Sequence, residues 1–508
     1  MKKKLLLALL LIFLLGSVLL VNYWFIAGQE KQTAGIPDDR MTVTVPAADQ
    51  AAEQAPDATD GTPVSVQYPV TYTTLFDNGK IHHFKIVISQ EEWEGLSRDM
   101  LDIRDIDGNM RTGNYRKADL YYSDENGEIF VDEVGIRTKG NMSRILPEDA
   151  DGLHRFHFKI KFDETFDIQE GSADYDLRND RSFAEVSELN FKINNGSDPT
   201  NIREIFSYDL FNAFGVTAPR ASMATLTFVI DGTEHDYGVV RYIESVDKSF
   251  LGERFGSKMN DGNLYKCLWQ NYGPASLMPL RREAEIGIKD WTENYRPTYD
   301  LKTNKEERNY QDLEAFIDNL NKLEGNELKA YLDKNFSIDR FIRAQALDVL
   351  LGQIDGYWSM GNNYYLYFNE NGVLEWIPFD YEHVLAAGWD GDPYWSYEGI
   401  ATADIYQWNN LNAQMYDENT THPLMDKILQ IDEYKNKYEE YLRTLIEPAN
   451  NYFTYNRFME LYNRLYNLYG DSVDNEMQEG SLWELSNEEW YFNTKTDSVK
   501  QQLARNAK

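Results

Sequence analysis

Over Phe156–Phe162 the chain reads Phe-His-Phe-Lys-Ile-Lys-Phe. Phe156, Phe158, Ile160 and Phe162 share one face of this alternation, and His157, Lys159 and Lys161 share the other. Successive strand side chains point to opposite sides, so the pattern predicts a strand with one buried and one polar face. Further strands are expected at His82–Ser89, Lys117–Ser123, Glu128–Thr138, Glu188–Ile193, Ser222–Ile230 and Tyr237–Glu244. The turn sequences Asp124-Glu125-Asn126-Gly127 and Asp231-Gly232 join two of these pairs as hairpins. A short helix is expected over Glu91–Asp99, and another from Asp198 to Phe214, closed by Gly215. Beyond about residue 305 the period lengthens to that of helices, at Tyr310–Leu323, Asn326–Lys334 and Ile338–Leu351. Two short strands follow, Tyr364–Phe368 and Leu374–Pro378, around Asn369-Glu370-Asn371-Gly372, and from Pro423 the chain is mostly helical. The expectation is an α+β fold with a sheet-rich part over 69–300 and a helix-rich part over 301–508.

The other end of the chain carries a different signal. Lys2, Lys3 and Lys4 precede Leu5–Gly28, which holds no charge, and Leu5–Phe25 is mostly apolar. At about 1.5 Å per residue that stretch spans the hydrocarbon layer as a helix. It has no convincing small-residue cleavage site, so residues 1–28 are read as an anchor in preference to a cleaved signal. The lysines hold the N-terminus in the cytoplasm, which puts the rest outside, at the cell membrane or, if released, in a secreted or coat location. Residues 29–68, rich in Ala, Asp, Gln, Thr and Pro, read as a disordered linker. The 508-residue chain holds 50 Lys and Arg against 84 Asp and Glu, a formal charge of −34, which disfavours a nucleic-acid polymer as partner. Its single cysteine, Cys267, excludes an intrachain disulfide and a multi-cysteine zinc site.

The densest chemistry lies in Leu347–His383. A long apolar helix ends at Gly352, Asp355 follows in a loop bounded by glycines, Asn363 precedes a strand, and Asp380 closes the next strand after Pro378. An acid, an amide and a second acid thus sit at the ends of adjacent short elements, where one cleft can gather them. Oxygen donors of this kind suit a hard cation such as Mg²⁺ or Mn²⁺, with one carboxylate left to orient or deprotonate an alcohol. On spacing alone, the favoured reading of Asp355 and Asp380 is as turn or cap residues, because Asp and Asn are common in loops.

These residues resemble the CotH kinase family, named for spore coat protein H. The resemblance is carried by Asp355, Gly361-Asn362, Asn363-Tyr364-Tyr365-Leu366 and Pro378-Phe379-Asp380-Tyr381-Glu382. It continues upstream in Gly135-Ile136-Arg137-Thr138-Lys139-Gly140-Asn141-Met142-Ser143 and in the basic strand Phe158–Phe162. Asp198–Glu204 leading to Phe214-Gly215-Val216 and Pro219-Arg220, then Tyr237-Gly238 through Glu244, Asp247–Leu251 and Gly262–Lys266, extend it over roughly residues 75–445. Three positions depart from the family pattern: Asn362 stands for its histidine, Phe379 for its tryptophan and Glu382 for its second aspartate. There is no Gly-x-Gly-x-x-Gly loop, His-Arg-Asp or Asp-Phe-Gly triplet.

The resemblance implies an atypical protein-kinase-like, two-lobed fold and a metal-dependent protein kinase that moves the γ-phosphate of ATP to Ser or Thr of coat or envelope proteins, with autophosphorylation. It implies a phosphate-covering turn at Gly140, Asn141 and Ser143, and a phosphate lysine at Lys159 with Lys161 beside it. Glu204 would pair with that lysine, and Glu244 and Lys266 would lie near the nucleotide. Asp355 would serve as base or orienter of the hydroxyl, and Asn363 and Asp380 would hold Mg²⁺ or Mn²⁺. Two alternatives stand beside this reading: a non-catalytic coat scaffold of the same fold, and a carbohydrate-active enzyme using paired carboxylates beside aromatic platforms.

Overall fold

The computed structural model describes residues 70–140, 144–193, 198–385, 396–413, 421–472 and 483–506. The expected anchor and linker lie outside these, as do Asn141 and Ser143 of the expected phosphate turn. Among the described residues no helix is long and apolar enough to cross a membrane.

The alternating segments close into a seven-stranded barrel. Its strands are β1 (His83–Ile88), β2 (Arg116–Asp124), β3 (Gly127–Thr138), β4 (Phe158–Lys161), β5 (Glu188–Lys192), β6 (Ala221–Ile230) and β7 (Thr233–Glu244). They are ordered β1-β2-β3-β4-β5-β7-β6. All neighbours are antiparallel except β1 and β6, whose parallel pairing, His83 opposite Thr225 through Ile88 opposite Ile230, closes the barrel. The hairpin signals do not reveal this closure, because a parallel pair needs a long crossover and leaves no turn signature. The barrel is filled as the alternation predicts. Phe158, Ile160, Phe84, Phe191, Phe228 and Tyr242 are buried in one cluster, with Phe158 and Phe191 stacked at 4.6 Å between ring centroids.

Helix α1 (Gln90–Asp107) runs a full two turns past its expected end. It stops where Gly108 takes a left-handed φ of 70° and its N–H bonds the Arg104 carbonyl. Helix α2 (Arg203–Ala213) begins later than Asp198 suggests. The Asp198 carboxylate accepts from the backbone N–H of Thr200, Asn201 and Arg203, and Asn201 at φ 62° breaks the helical path before it.

After α3 (Lys248–Phe255) come β8 (Asn263–Cys267), β9 (Ile286–Gly287), β10 (Tyr299–Leu301), and the helices α4 (Gln311–Lys322), α5 (Gly325–Asn335) and α6 (Ile338–Leu351). The hairpin β11 (Tyr364–Phe368) and β12 (Leu374–Pro378) has the expected bounds, but it is not isolated among helices. It completes a five-stranded sheet, β9-β10-β8-β11-β12, that draws strands from both sides of residue 300, and β10 itself crosses that position. Helix α6 packs beneath the sheet with eleven of its fourteen residues buried. Tyr364 and Trp376, stacked at 4.0 Å, join the hairpin to that core. Helices α7 (Asp432–Ile446), α8 (Tyr455–Tyr469) and α9 (Glu488–Asn506) complete it. Mixed helix and strand content makes this an α+β fold.

Candidate functional site

The outer face of β3, β4 and β5 forms one wall of a cleft of about 1010 Å³. In register, Arg137 lies opposite Lys159, Gly135 opposite Lys161, Lys159 opposite Asn190 and Lys161 opposite Glu188. The polar half of the alternation therefore faces the cleft, with Lys139, His157, Lys159, Lys161 and Lys192 all lining it. The second sheet and the loops after it supply the opposite wall, including Lys266, Tyr365, Asp355, Asn363, Asp380 and Glu382.

Asp355, Asn363 and Asp380 all line this cleft. Asn363 Nδ2 donates to Asp355 Oδ2 at 2.8 Å, and Asn362 Nδ2 donates to Asp355 Oδ1 at 2.9 Å. Asn362 also accepts from the Trp269 N–H at 2.8 Å, so the residue that replaces the family's histidine ties the Asp355 loop to the segment after β8. Asn363 and Asp380 both hold left-handed backbone, φ 57° and 64°. Neither is glycine, and such strain at paired polar side chains marks a geometry imposed by its surroundings. Burial, opposed by the Asn362 hydrogen bond and reinforced by Asp380, pushes the Asp355 carboxyl up to about 6.

Gln353, which the sequence reading passed over, fixes the two acids relative to each other. Its Nε2 donates to the Asp380 carbonyl at 2.9 Å and its Oε1 accepts from the Asp355 N–H at 3.1 Å. A Cβ on Gly356 would come within 2.7 Å of Gln353 Cγ, so glycine is required for this clamp. Gln353→Met keeps the volume and removes both bonds. The expected result is a loss of about 1–3 kcal/mol of stability, read by thermal unfolding, because the two hydrogen bonds that tie the Asp355 and Asp380 loops together are removed.

Lys192, at the end of β5, is the centre of the site's electrostatics. Its Nζ contacts Glu204 Oε1 at 2.9 Å, Asp380 Oδ1 at 2.6 Å and Glu382 Oε2 at 3.4 Å. Burial opposes its charge, but Asp380, Glu204 and Glu382 outweigh this and hold the amine above its usual range. Burial likewise opposes ionisation of Glu382, yet Lys192 and the neighbouring histidines hold that carboxyl well below its usual range. Tyr208 OH accepts from the Asp380 N–H at 3.0 Å, and Glu204 Oε1 accepts from the Tyr381 N–H at 3.4 Å, so helix α2 holds the Asp380 loop in place.

This corrects the expected lysine–glutamate pair. Glu204 is buried at the site, but its partner is Lys192. Lys159 instead makes an ion pair with Glu188 on the neighbouring strand β5. The register explains it: Lys192 is the last residue of β5, directed at α2, whereas Lys159 lies beside Glu188 and Asn190 higher on the wall. Lys161 pairs with Glu164 at 3.0 Å and with Asp163. Glu244 is a second correction. It ends β7 but does not line the cleft; its Oε2 accepts from Arg254 at 2.7 Å and from the Arg220 N–H at 3.0 Å. Glu244→Ala is expected to destabilise the fold by about 3 kcal/mol, the usual consequence of breaking a buried ion pair, while the cleft-lining residues keep their places; thermal unfolding checks the first.

Lys266 does lie in the cleft, its Nζ 4.2 Å from the Phe379 ring centroid. Burial and then Lys159 and Lys302 push it down to about 7. Lys139 is pushed well down by burial and by Lys192. Gly140 lines the cleft beside it. Two amines in one cleft, held below their usual range chiefly by burial and then by neighbouring lysines, form a preformed place for negative charge. A phosphate ligand there is expected to take up protons on binding between about pH 7 and 8, read by calorimetry in buffers of different ionisation enthalpy.

Among the described residues no group of three or more His, Cys, Asp and Glu side chains is arranged to hold a metal ion alone. The donors still fit a hard cation. Asn363 spends its Nδ2 on Asp355, which leaves Oδ1 as acceptor, and Asp380 and Glu382 offer carboxylate oxygens to the same space. Mg²⁺ is ordinarily held by one or two such groups with substrate phosphates completing its shell.

Among solved structures, the chain is similar to the Helicobacter pylori proinflammatory kinase CtkA, at 12% identity, covering 63% of this chain and 90% of that one with a TM-score of 0.25. No curated protein matches. The family model described as CotH kinase protein matches residues 136–504, most of the chain. The chain belongs to the CotH kinase family. That match runs from the last residues of β3 into α9 and takes in most of the residues of both walls of the cleft, so this is a kinase-like protein whose family-matched segment contains Lys192, Glu204, Asp355, Asn363 and Asp380.

Proposed function

We propose that this CotH-family chain binds ATP with Mg²⁺ or Mn²⁺ in the cleft and phosphorylates Ser or Thr hydroxyls of coat or envelope proteins, its own included. The single observation that carries the reading is the convergence of the Lys192–Glu204 pair, Asp380 and the Asp355–Asn363 pair in one cleft whose wall is otherwise lined with lysines. Phosphoryl transfer depends on positioning and charge neutralisation, and those are the things these groups supply.

Lys192 leaves Asp380 for the nucleotide phosphates while keeping Glu204, which frees the Asp380 carboxylate. Lys139 and Lys266 neutralise further phosphate oxygens, with Gly140 allowing close backbone approach. Asp380 and Asn363, with Glu382 as a further donor, would hold a divalent cation, which would supply charge neutralisation on the phosphates when bound. Asp355 orients the acceptor hydroxyl and takes its proton. As the alcohol oxygen bonds to the γ-phosphorus, the bond to the β–γ bridging oxygen breaks and ADP leaves. The proposed location is outside the cytoplasmic membrane, tethered by residues 5–25, on the strength of the Lys2–Lys4 cluster and the uncharged run that follows.

Full-length protein in detergent, incubated with labelled ATP, Mg²⁺ or Mn²⁺ and a Ser-rich acceptor protein, is expected to label the acceptor and itself, and chelation of divalent cation is expected to reduce this to background. ATP binding without transfer to any acceptor overturns the enzymatic reading in favour of a scaffold.

A further inference from the structure

Helix α9 buries a stripe made of Tyr491, Phe492, Lys495, Val499 and Leu503. Four of these are the aromatic and aliphatic residues that a helical period places on one face, and the fifth is a lysine. Lys495 is 0% exposed, and among the described residues no carboxylate forms an ion pair with it. Its Nζ donates to the Ile400 carbonyl at 3.0 Å and lies 4.3 Å from the centroid of the Trp408 ring. Burial holds the amine well below its usual range. A fully buried lysine without a counter-charge is costly to the fold, and leucine or methionine would fill the same stripe at no such cost.

The contacts of Lys495 lead to the site. Trp408 is 1% exposed, and its Nε1–H donates to the Gln353 carbonyl at 2.9 Å. Gln353 is the residue whose side chain joins the Asp355 N–H to the Asp380 carbonyl. Three contacts therefore separate Lys495 from Asp355, and the two residues between them are both buried. The segment from the short helix Tyr397–Thr402 to Trp408 is itself carried by α9. The Ile405 N–H donates to Gln502 Oε1 at 3.0 Å, and Gln502 Nε2 donates to the Ala403 carbonyl at 3.1 Å.

The same helix touches the other elements that hold the site. Gly352 ends α6 in left-handed conformation at φ 75°, and a Cβ there would lie 2.2 Å from Tyr491 Oη, so the turn into the Asp355 loop rests directly on α9. Glu488 Oε1 accepts from Arg203 Nη2 at 2.6 Å, the two side chains 1% and 3% exposed, and Phe492 meets Phe206 edge-on at 5.9 Å between centroids. Arg203 immediately precedes Glu204, the partner of Lys192. One helix thus bears on the Asp355 and Asp380 loops and on the helix α2 that carries Glu204.

We propose that Lys495 is a positioning residue of the site: through Trp408 it fixes the Gln353 backbone, and through Gln353 the spacing of Asp355 and Asp380. The proposal rests on the kinase reading above for what that spacing serves. An amine does here what an apolar side chain cannot. It hydrogen-bonds the Ile400 carbonyl while resting against the Trp408 face, which fixes the plane of the indole and so the direction of its N–H. A residue that costs the fold and holds the reacting groups in place is the kind retained for function.

The test uses full-length protein in detergent and two variants. Lys495→Met fills the same space without the amine, and Trp408→Phe keeps an aromatic face but removes the N–H to Gln353. Amide hydrogen exchange reads the relay without reference to activity, because the Asp355 N–H is the one bound by Gln353. Both variants are expected to speed exchange of that amide by about tenfold or more, while strands β1 to β7 of the barrel exchange as in the wild type. In transfer, both are expected to lower kcat by about tenfold with KM for ATP within about twofold of wild type, because displaced reacting groups slow the chemistry and leave nucleotide binding intact. The double variant is expected to lose no more than the worse single one, since residues that act through one contact are not additive. If Lys495→Met folds poorly, Trp408→Phe alone carries the exchange and kinetic readouts. Unchanged exchange at Asp355 in a folded variant overturns the proposal, as do losses that multiply in the double variant. Faster exchange shared by the barrel overturns it too, because Lys495 then serves the fold at large. Exchange that rises only at the Asp355 loop, in a chain whose wild type transfers no phosphate, upholds the relay and overturns the kinase reading alone.

Discussion

Lys192→Met is expected to lower ATP-dependent transfer by about a thousandfold or more, with the loss mainly in kcat. Removal of a single group that stabilises developing charge in a water-poor site ordinarily costs 10²–10³. Here the same change also leaves Asp380 and Glu382 without the cation that now holds them. A stability effect accompanies the loss of activity. Lys192 is 6% exposed and Glu204 1%, so the variant strands a buried carboxylate beside two others, at about 3–5 kcal/mol. The pH dependence follows from the direction of each shift. Lys192 is held above its usual 10.5, so its contribution is fully present below that value and is lost as pH rises through the raised one. Glu382 is held below its usual 4.5, so its contribution is present above that value and is lost as pH falls through the depressed one. The wild-type advantage over Lys192→Met should therefore be flat between about pH 5 and 10 and shrink outside that window. Without the lysine, Glu204, Asp380 and Glu382 become three unneutralised oxygen donors, and millimolar Mg²⁺ or Mn²⁺ is expected to restore part of the lost thermal stability. A variant that retains wild-type transfer would remove Lys192 from the mechanism and with it the correction made to Lys159.

The sequence carried more of this site than its reading extracted, and the reason lies in which signals are local. The alternation at Phe156–Phe162 set the buried and polar faces of β4 correctly, because strand periodicity needs no tertiary information. The loops that bring Asp355, Asn363 and Asp380 together were legible from the short elements that precede them. Lys192 was within reach: in Glu188-Leu189-Asn190-Phe191-Lys192 it shares the polar face with Glu188 and Asn190, and it stands twelve residues before Glu204. The choice between Lys159 and Lys192 depended on which strand faces helix α2, and strand order in a barrel is not written in any one strand. The same limit concealed the parallel β1–β6 closure and the pairing of β8 with β11, which tie together segments more than 90 residues apart. Gln353 was invisible for another reason. Its importance is a pair of hydrogen bonds to backbone groups, and any side chain of its type reads as an ordinary residue after a helix end.

Asp355→Asn should separate chemistry from binding and from stability in one variant. Loss of the group that receives the hydroxyl proton is expected to lower kcat by about 10²–10⁴, the range typical of general-base removal, with ATP affinity within about twofold of wild type. In the wild type the carboxyl lies at about 6, so kcat/KM should rise with pH through that value and level off above it as the base becomes ionised. The residual activity of the variant should lack that limb. Stability should move the other way. A carboxyl whose folded-state value lies above its usual 3.8 binds protons more tightly folded than unfolded, so its ionisation weakens the fold as pH rises from about 4 to 6. Asn removes the buried charge and its Oδ1 still accepts from one of the Asn362 and Asn363 amides, but its NH2 faces the other, so at pH 7 the loss of one hydrogen bond offsets the gain and the variant is expected to be about as stable as the wild type. This contrast between activity and stability is diagnostic, because a residue retained for folding loses stability when replaced, whereas one retained for chemistry does not. If Asp355→Asn unfolds at lower temperature than the wild type yet still transfers phosphate with an acid limb near pH 6, the proton acceptor is another group of the cleft and Asp355 serves only to shape its loop.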